Sequence, residues 1–306
     1  MLPNLKAQSK WGWLIAGYLF LAGLGGGAYV TGAVAGLLDT PEWATIAKIG
    51  VSLGFPCVAV GCLFLLADLG SFKNFWRAAM RPNSSWIARG TIIITLFMII
   101  GAIHIALGVC TDRLAEDAGL RHIISALGII FGLGTMIYTG ILLAAARPIA
   151  FWSTAMLPLL FLVSALSTGI MAVVALASLV ETAHVESIHY LARIDMAIIV
   201  LEMFVLGFYL QGSHRVPESR ASARLVLAGT LAPMFWLGVA LLGLVVPLSL
   251  DLVGVFSLSG GAAVSITLVA SICGIIGGLL LRLVILSAGI HAPLKVGRFE
   301  IALPIV

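Results

Sequence analysis

Charge is what this sequence has least of. Only 10% of its 306 residues are charged, whereas a soluble domain carries about a quarter. So thin an inventory cannot cover a water-exposed surface, and a soluble globular fold is excluded. Cysteine is scarce too. Cys57, Cys62, Cys110 and Cys273 are dispersed, with no C-x-x-C pair and no Cys/His cluster. That spacing suits neither zinc nor an iron–sulfur cluster. The cysteines read as small apolar filler, and no intrinsic metal is expected. The first apolar run lacks a small-residue cleavage site, so it is expected to be a retained span and not a signal peptide. The formal charge of +4 and pI near 9.0 do not imply nucleic acid, because Lys and Arg in so apolar a chain report topology.

What remains is hydrophobicity: 61% of residues, with a mean hydropathy of +1.16. A helix needs about 20 apolar residues to cross the hydrocarbon core, and runs of that length recur along the chain. The sequence therefore predicts an all-α polytopic membrane protein with eight transmembrane helices. The spans fall at about 13–38, 46–70, 90–109, 123–146, 153–180, 192–211, 225–247 and 262–287. Two four-helix bundles result, 1–150 and 151–306. LFLAGLGGG at 19–27 resembles LFLVSALSTG at 160–169, which suggests a tandem repeat of the bundle. Small residues at four-residue spacing, Gly23/Gly27, Gly128/Gly132 and Gly274/Gly278, predict close helix packing.

With eight spans both termini share one side. Twelve Lys and Arg fall on that side, against Lys48, Arg113, Arg121 and Arg193 opposite, with Arg282 inside the last span. The positive-inside rule would make the terminus side cytoplasmic.

Polar groups within spans are costly and mark candidate sites. Tyr18 and Tyr138 are predicted about 8–12 Å below the terminus-side surface. Asp68, Ser84, Ser85, Trp86, Arg89, Trp11 and Trp13 fall near the same level. The plain alternative is an interfacial belt of Trp11, Trp13, Trp76, Trp86 and Trp152, with Asp68 ending a helix beside Lys73. Two phenols and a carboxylate at one shallow depth also suit a quinone head group, whose carbonyls accept hydrogen bonds and whose reduction takes up protons. Farther along, Asp195, Glu202 and Arg282 form either a buried ion pair or a proton path. A b-type haem would need two histidines at one depth. Of His104, His122, His184 and His189 only His104 is clearly within a span, so haem is disfavoured.

Five segments occur in an order that resembles one family: YLFLAGLGGGAY at 18–29, DLGSFKNFW at 68–76 with RPNSSWIARG at 81–90, YTGILLAAARPIAFW at 138–152, LPLLFLVSALSTG at 157–169, and LLLRLVILSAG at 279–289. They are similar to the NrfD/PsrC family, the eight-helix membrane subunits of polysulfide-reductase-type molybdenum oxidoreductases. The resemblance implies an anchor that exchanges electrons between the quinone or menaquinone pool and a four-cluster iron–sulfur subunit. That partner in turn serves a catalytic molybdopterin subunit, so the anchor is not catalytic alone. It implies a quinone pocket in the first bundle, carried here by Tyr138 of the YTG motif, Asp68, Tyr18, Arg89 and Trp13. Tyr18 stands where some relatives have a different polar residue.

The resemblance also implies that the iron–sulfur subunit docks on the pocket side, where basic loops 71–89, 147–152 and 212–224 lie. The expected location is a bacterial or archaeal cytoplasmic (inner) membrane, with the termini on the side of those loops. In many members the catalytic partner is exported, which opposes the charge count unless the loops are basic for docking. Two other readings stay open: a secondary transporter of two repeats, for which Pro158 and Pro233 inside spans would mark discontinuous helices, and a purely structural anchor.

Overall fold

The computed structural model describes residues 12–69, 85–108, 111, 117–146, 148–180, 182–258, 260–290, 294–296 and 299–301. Helices dominate. They are α1 (Trp13–Leu37), α2 (Pro41–Leu69), α3 (Trp86–Gly108), α4 (Ala118–Ala144), α5 (Met156–Ala177), α6 (Val185–Gly212), the short α7 (Pro217–Ala228), α8 (Met234–Phe256) and α9 (Gly261–Ser287). A 3₁₀ turn at Ser213–Arg215 joins α6 to α7, and α8 has π-helical pitch over Met234–Val245. Two three-residue strands, Leu294–Val296 and Phe299–Ile301, pair antiparallel near the C-terminus, an element the sequence does not announce.

Among the described residues, seven helices are long and apolar enough to cross a membrane: α1 to α5, α8 and α9. The other long helix, α6, carries Glu186, Arg193, Asp195 and Glu202. Its 28 residues extend about 42 Å at 1.5 Å per residue.

α2, α3, α4 and α6 start four to seven residues earlier than hydropathy alone predicts, because the polar first turns at the interface remain helical. α4 begins at Ala118 and not near 123, with Asp117 Oδ1 accepting from the Leu120 N–H at 3.0 Å. That side chain satisfies one of the amides a helix start leaves open.

The seventh span needs correction. Expected at 225–247, it lies at Met234–Phe256, preceded by the separate helix α7. Gly229 makes the break. Its backbone is extended (φ −102°, ψ −154°), and a Cβ there would lie 2.7 Å from Leu225 Cα. Pro233 then precedes α8 at its N-cap. Hydropathy stays high across the break, so composition does not reveal it.

α1 and α5 are central: 78% and 72% of their apolar windows are buried, against 28% for α2 and for α3, which present most of their surface outward. α1 packs on α2, α4 and α5, while α5 packs on α6 and α9, and α9 packs on both segments of α8. The two segments that resemble each other in sequence meet face to face. A Cβ on Gly27 would lie 2.2 Å from the Ala165 carbonyl oxygen, and one on Gly169 2.4 Å from Ala28 N. The backbones touch, as small residues allow in lipid.

The turn from α4 to α5 is tied inward. Trp152 Nε1 donates to the Ile285 carbonyl at 2.8 Å, and Tyr209 donates its hydroxyl proton to the Phe151 carbonyl at 2.8 Å. Trp152 is fully buried and so does not belong to an interfacial belt. For the same reason the expected docking loop 147–152 is mostly interior: Ile149, Phe151 and Trp152 are buried, and only Pro148 is exposed. Arg147 lies outside the described residues, as do most of loop 71–89 and Trp11.

Candidate functional site

Two shallow tyrosines form the centre of the first site. Tyr18 is five residues from the start of α1 and Tyr138 six from the end of α4, which sets both about 8–9 Å below one surface. The structure brings them together, with Tyr138 and Cys62 as the ionisable groups facing Tyr18. Tyr18 is fully buried, yet its hydroxyl has no hydrogen-bond partner among the described residues. An unmatched buried hydroxyl costs on the order of 1–3 kcal/mol.

Gly90 makes room for Tyr138. A Cβ at that position would fall 1.7 Å from the Tyr138 ring, so the phenol lies flat against the α3 backbone where any side chain would stand. Position 90 escapes a sequence-only reading because the contact joins helices 48 residues apart. Its one legible trace is the placement of a glycine beside Arg89 at the helix entrance.

The other predicted residues are arranged around the rim. Trp13 is 68% exposed and packs edge-on against Phe64, at 5.9 Å between ring centroids. Arg89 is exposed and lies over the Trp86 ring at 4.7 Å. Ser85 Oγ accepts from the Ala88 N–H at 3.4 Å, serving the start of α3. Ser84 is outside the described residues. Asp68 departs from expectation. It is exposed at the end of α2, one turn beyond Phe64, and makes no hydrogen bond to either tyrosine among the described residues. The single pocket expected to gather all these groups is therefore a buried tyrosine pair with an exposed rim.

A second polar constellation lies among α5, α6, α8 and α9. Arg282 is fully buried. Its guanidinium donates to Ser164 Oγ, to the Gly278 carbonyl at 3.2 Å and to the Phe161 carbonyl at 3.4 Å. It also stands 5.1 Å over the Phe161 ring. Glu202 is its charged neighbour, but the hydrogen bonds go to neutral groups, so the expected ion pair is not a direct one. Asp195 faces Asp251, Glu202 and the Ser167 hydroxyl, and neither carboxylate oxygen has a partner of good hydrogen-bond geometry among the described residues. Asp251 escapes sequence reasoning, which leaves it in a loop. With the span corrected it is 3% exposed inside α8, beside Thr267. A void of about 10 Å³ touches Ser164, Ser167 and Glu202, the scale of a single water.

Among the described residues no three His, Cys, Asp or Glu side chains gather as a metal site. His104 is engaged with Tyr29, 2.8 Å from Nδ1 to the phenol oxygen.

Residues 1–293 match the family described as "Polysulphide reductase, NrfD". The chain belongs to this family. It is 30% identical to the C component of the polysulfide reductase of Wolinella succinogenes, over 91% of this chain and 94% of that one. Protein NrfD of Escherichia coli K12 is also 30% identical, with 91% and 94% covered. The C component of the selenate reductase of Mesobacillus selenatarsenatis is 23% identical, over 81% of this chain and 68% of its own. The first and third of these relatives are parts of reductases by name, in keeping with an oxidoreductase subunit built on apolar membrane helices.

Proposed function

We propose that this chain is the membrane anchor through which a molybdopterin oxidoreductase complex exchanges electrons with the quinone or menaquinone pool. The observation that carries the reading is the Tyr18 hydroxyl, buried at shallow depth with no hydrogen-bond partner among the described residues and with Tyr138 as an ionisable neighbour. Two phenols side by side can donate to a quinone carbonyl, and each proton given up can be replaced from the rim, where Asp68 meets water. Arg89 and Trp13 flank the entrance. Quinone reduction consumes two electrons and two protons. With no metal cluster expected in this chain, the electrons pass between the quinone and an iron–sulfur partner, which is linked in turn to a catalytic molybdopterin subunit.

In this reading α6 is the eighth span, and two bundles follow: α1 to α4, and α5, α6, α8 and α9. The chain is a multi-pass protein of a bacterial or archaeal inner membrane, and the iron–sulfur subunit docks on the pocket side. Arg220 and Arg224, exposed on α7, contribute to that face. Asp195, Glu202 and Arg282, extended by Asp251, provide a proton path through the second bundle.

The test is turnover of quinol by the assembled complex carrying Tyr138→Phe. The phenyl ring keeps the slot against Gly90 filled, while the hydroxyl is lost. Turnover falls about tenfold to a hundredfold, as expected for loss of a hydrogen bond and a proton donor, with the complex still copurifying. Unchanged turnover in an intact complex would refute the pocket. If the chain purifies with no cluster-bearing partner and quinol has no effect, the transporter reading takes its place.

A further inference from the structure

A cavity of about 320 Å³ opens at the far end of α1 to α4, away from the tyrosine pair. Thirteen residues of α4 separate Tyr138 from Ser125 at this cavity, about 20 Å along the helix. The room comes from small residues on α1 and α2, among them Ala35, Gly36, Ala44 and Ala47. Its volume falls at the lower end of ordinary ligand pockets, which are apolar with a few convergent polar groups.

Two such groups converge here. Ser125 on α4 is wholly buried, and its Oγ has no partner among the described residues. His104 on α3 is the other. Its Nδ1 is 2.8 Å from the hydroxyl of the fully buried Tyr29. That phenol is wedged by the Phe97 ring at 4.9 Å and finds its only acceptor among the described residues in His104. Tyr29 therefore donates to Nδ1, and the imidazole proton resides on Nε2. A serine hydroxyl and an imidazole N–H thus stand as hydrogen-bond donors at an apolar chamber. Lys48 and Arg121 line the same cavity, Arg121 pairing with Asp39.

We propose that this cavity binds a membrane-borne amphiphile through an oxygen acceptor, a carbonyl or carboxylate seated against His104 and Ser125, as a site separate from the tyrosine pair.

Gly36 supplies the test. A Cβ there would meet Ala47 Cβ at 3.7 Å and Ser125 Oγ at 4.0 Å, ordinary contact distances, so Gly36→Leu grows into the chamber without forcing the helices apart. The protein in lipid nanodiscs is photolabelled with a diazirine-bearing short-chain naphthoquinone and, separately, with a diazirine-bearing fatty acid, and the cross-links are mapped. Labelling is expected on peptides containing 36–48 and 104–125, reduced about tenfold in Gly36→Leu. Ser125→Ala, which removes a donor and no volume contact, reduces it several-fold and decides the matter if Gly36→Leu unfolds. Preference for one probe identifies the source, quinone pool or acidic lipid. Absence of labelling on these peptides with both probes, or labelling that Gly36→Leu and Ser125→Ala leave untouched, overturns the proposal. So does labelling abolished by Tyr138→Phe, which would assign it to the other site.

Discussion

A methyl group at Gly90 would stand 1.7 Å from the Tyr138 ring, and that contact is with a ring packed between helices, which has little room to yield. Gly90→Ala therefore displaces the phenol while leaving every hydroxyl in the protein. If Tyr138 acts through its position, Gly90→Ala lowers quinol turnover about as much as Tyr138→Phe. The double variant is then little worse than either alone, as expected for residues acting as a unit. Circular dichroism and copurification of the complex verify that α3 survives. A strictly additive double variant would show that Gly90 serves only packing. The depth of Tyr18 and Tyr138 is legible in the sequence because the helical rise is constant. Asp68 is overvalued by the same reasoning, since periodicity fixes depth but not whether a side chain turns inward or to water.

Elements meet where side chains vanish. α1 and α5 cross with Gly169 within 2.4–2.5 Å of Ala28 N and Gly27 Cα for any added Cβ, so a side chain there must separate the two central helices. Gly169→Val is expected to cost about 1–3 kcal/mol, the range for overpacking a tight contact, and to lower the thermal midpoint in detergent. Gly207→Val on α6, where nothing lies within 4 Å, is the control and should leave the midpoint unchanged. Equal effects of the two substitutions would argue that valine acts through helix propensity and not through the α1–α5 contact. The apolar runs and small-residue spacing make the long helices and their close packing legible. The α7–α8 break is not, because Gly229 interrupts an apolar stretch without a polar marker, and the register of the seventh span is lost with it. Asp251 is lost with that register.

Across the whole molecule, buried polar groups run nearly from one face to the other. Arg282 is five residues from the end of α9, and Asp251 five from the end of α8, where that helix reaches the opposite face. Each is thus about 8 Å below its own surface. Glu202 and Asp195, seven residues apart on α6, occupy the middle. A charged group at mid-membrane costs about 2.5–3.5 kcal/mol, and one such residue fixing helix register would explain one, not four in sequence. Asp195 and Asp251 face the hydroxyls of Ser167 and Thr267 without well-formed hydrogen bonds among the described residues, whereas a purely structural network would be expected to form them. Proton transfer uses groups of this kind, which bind a proton at one moment and release it at the next. In proteoliposomes of the complex, Glu202→Gln and Asp251→Asn should retain quinol turnover, because both lie far from the tyrosine pair, while proton movement across the membrane falls at least about tenfold. Full proton movement in both variants would reduce the row to a structural one. Loss of turnover together with proton movement would instead mean that the two bundles are coupled, so that chemistry at Tyr138 waits on the charge state of the second.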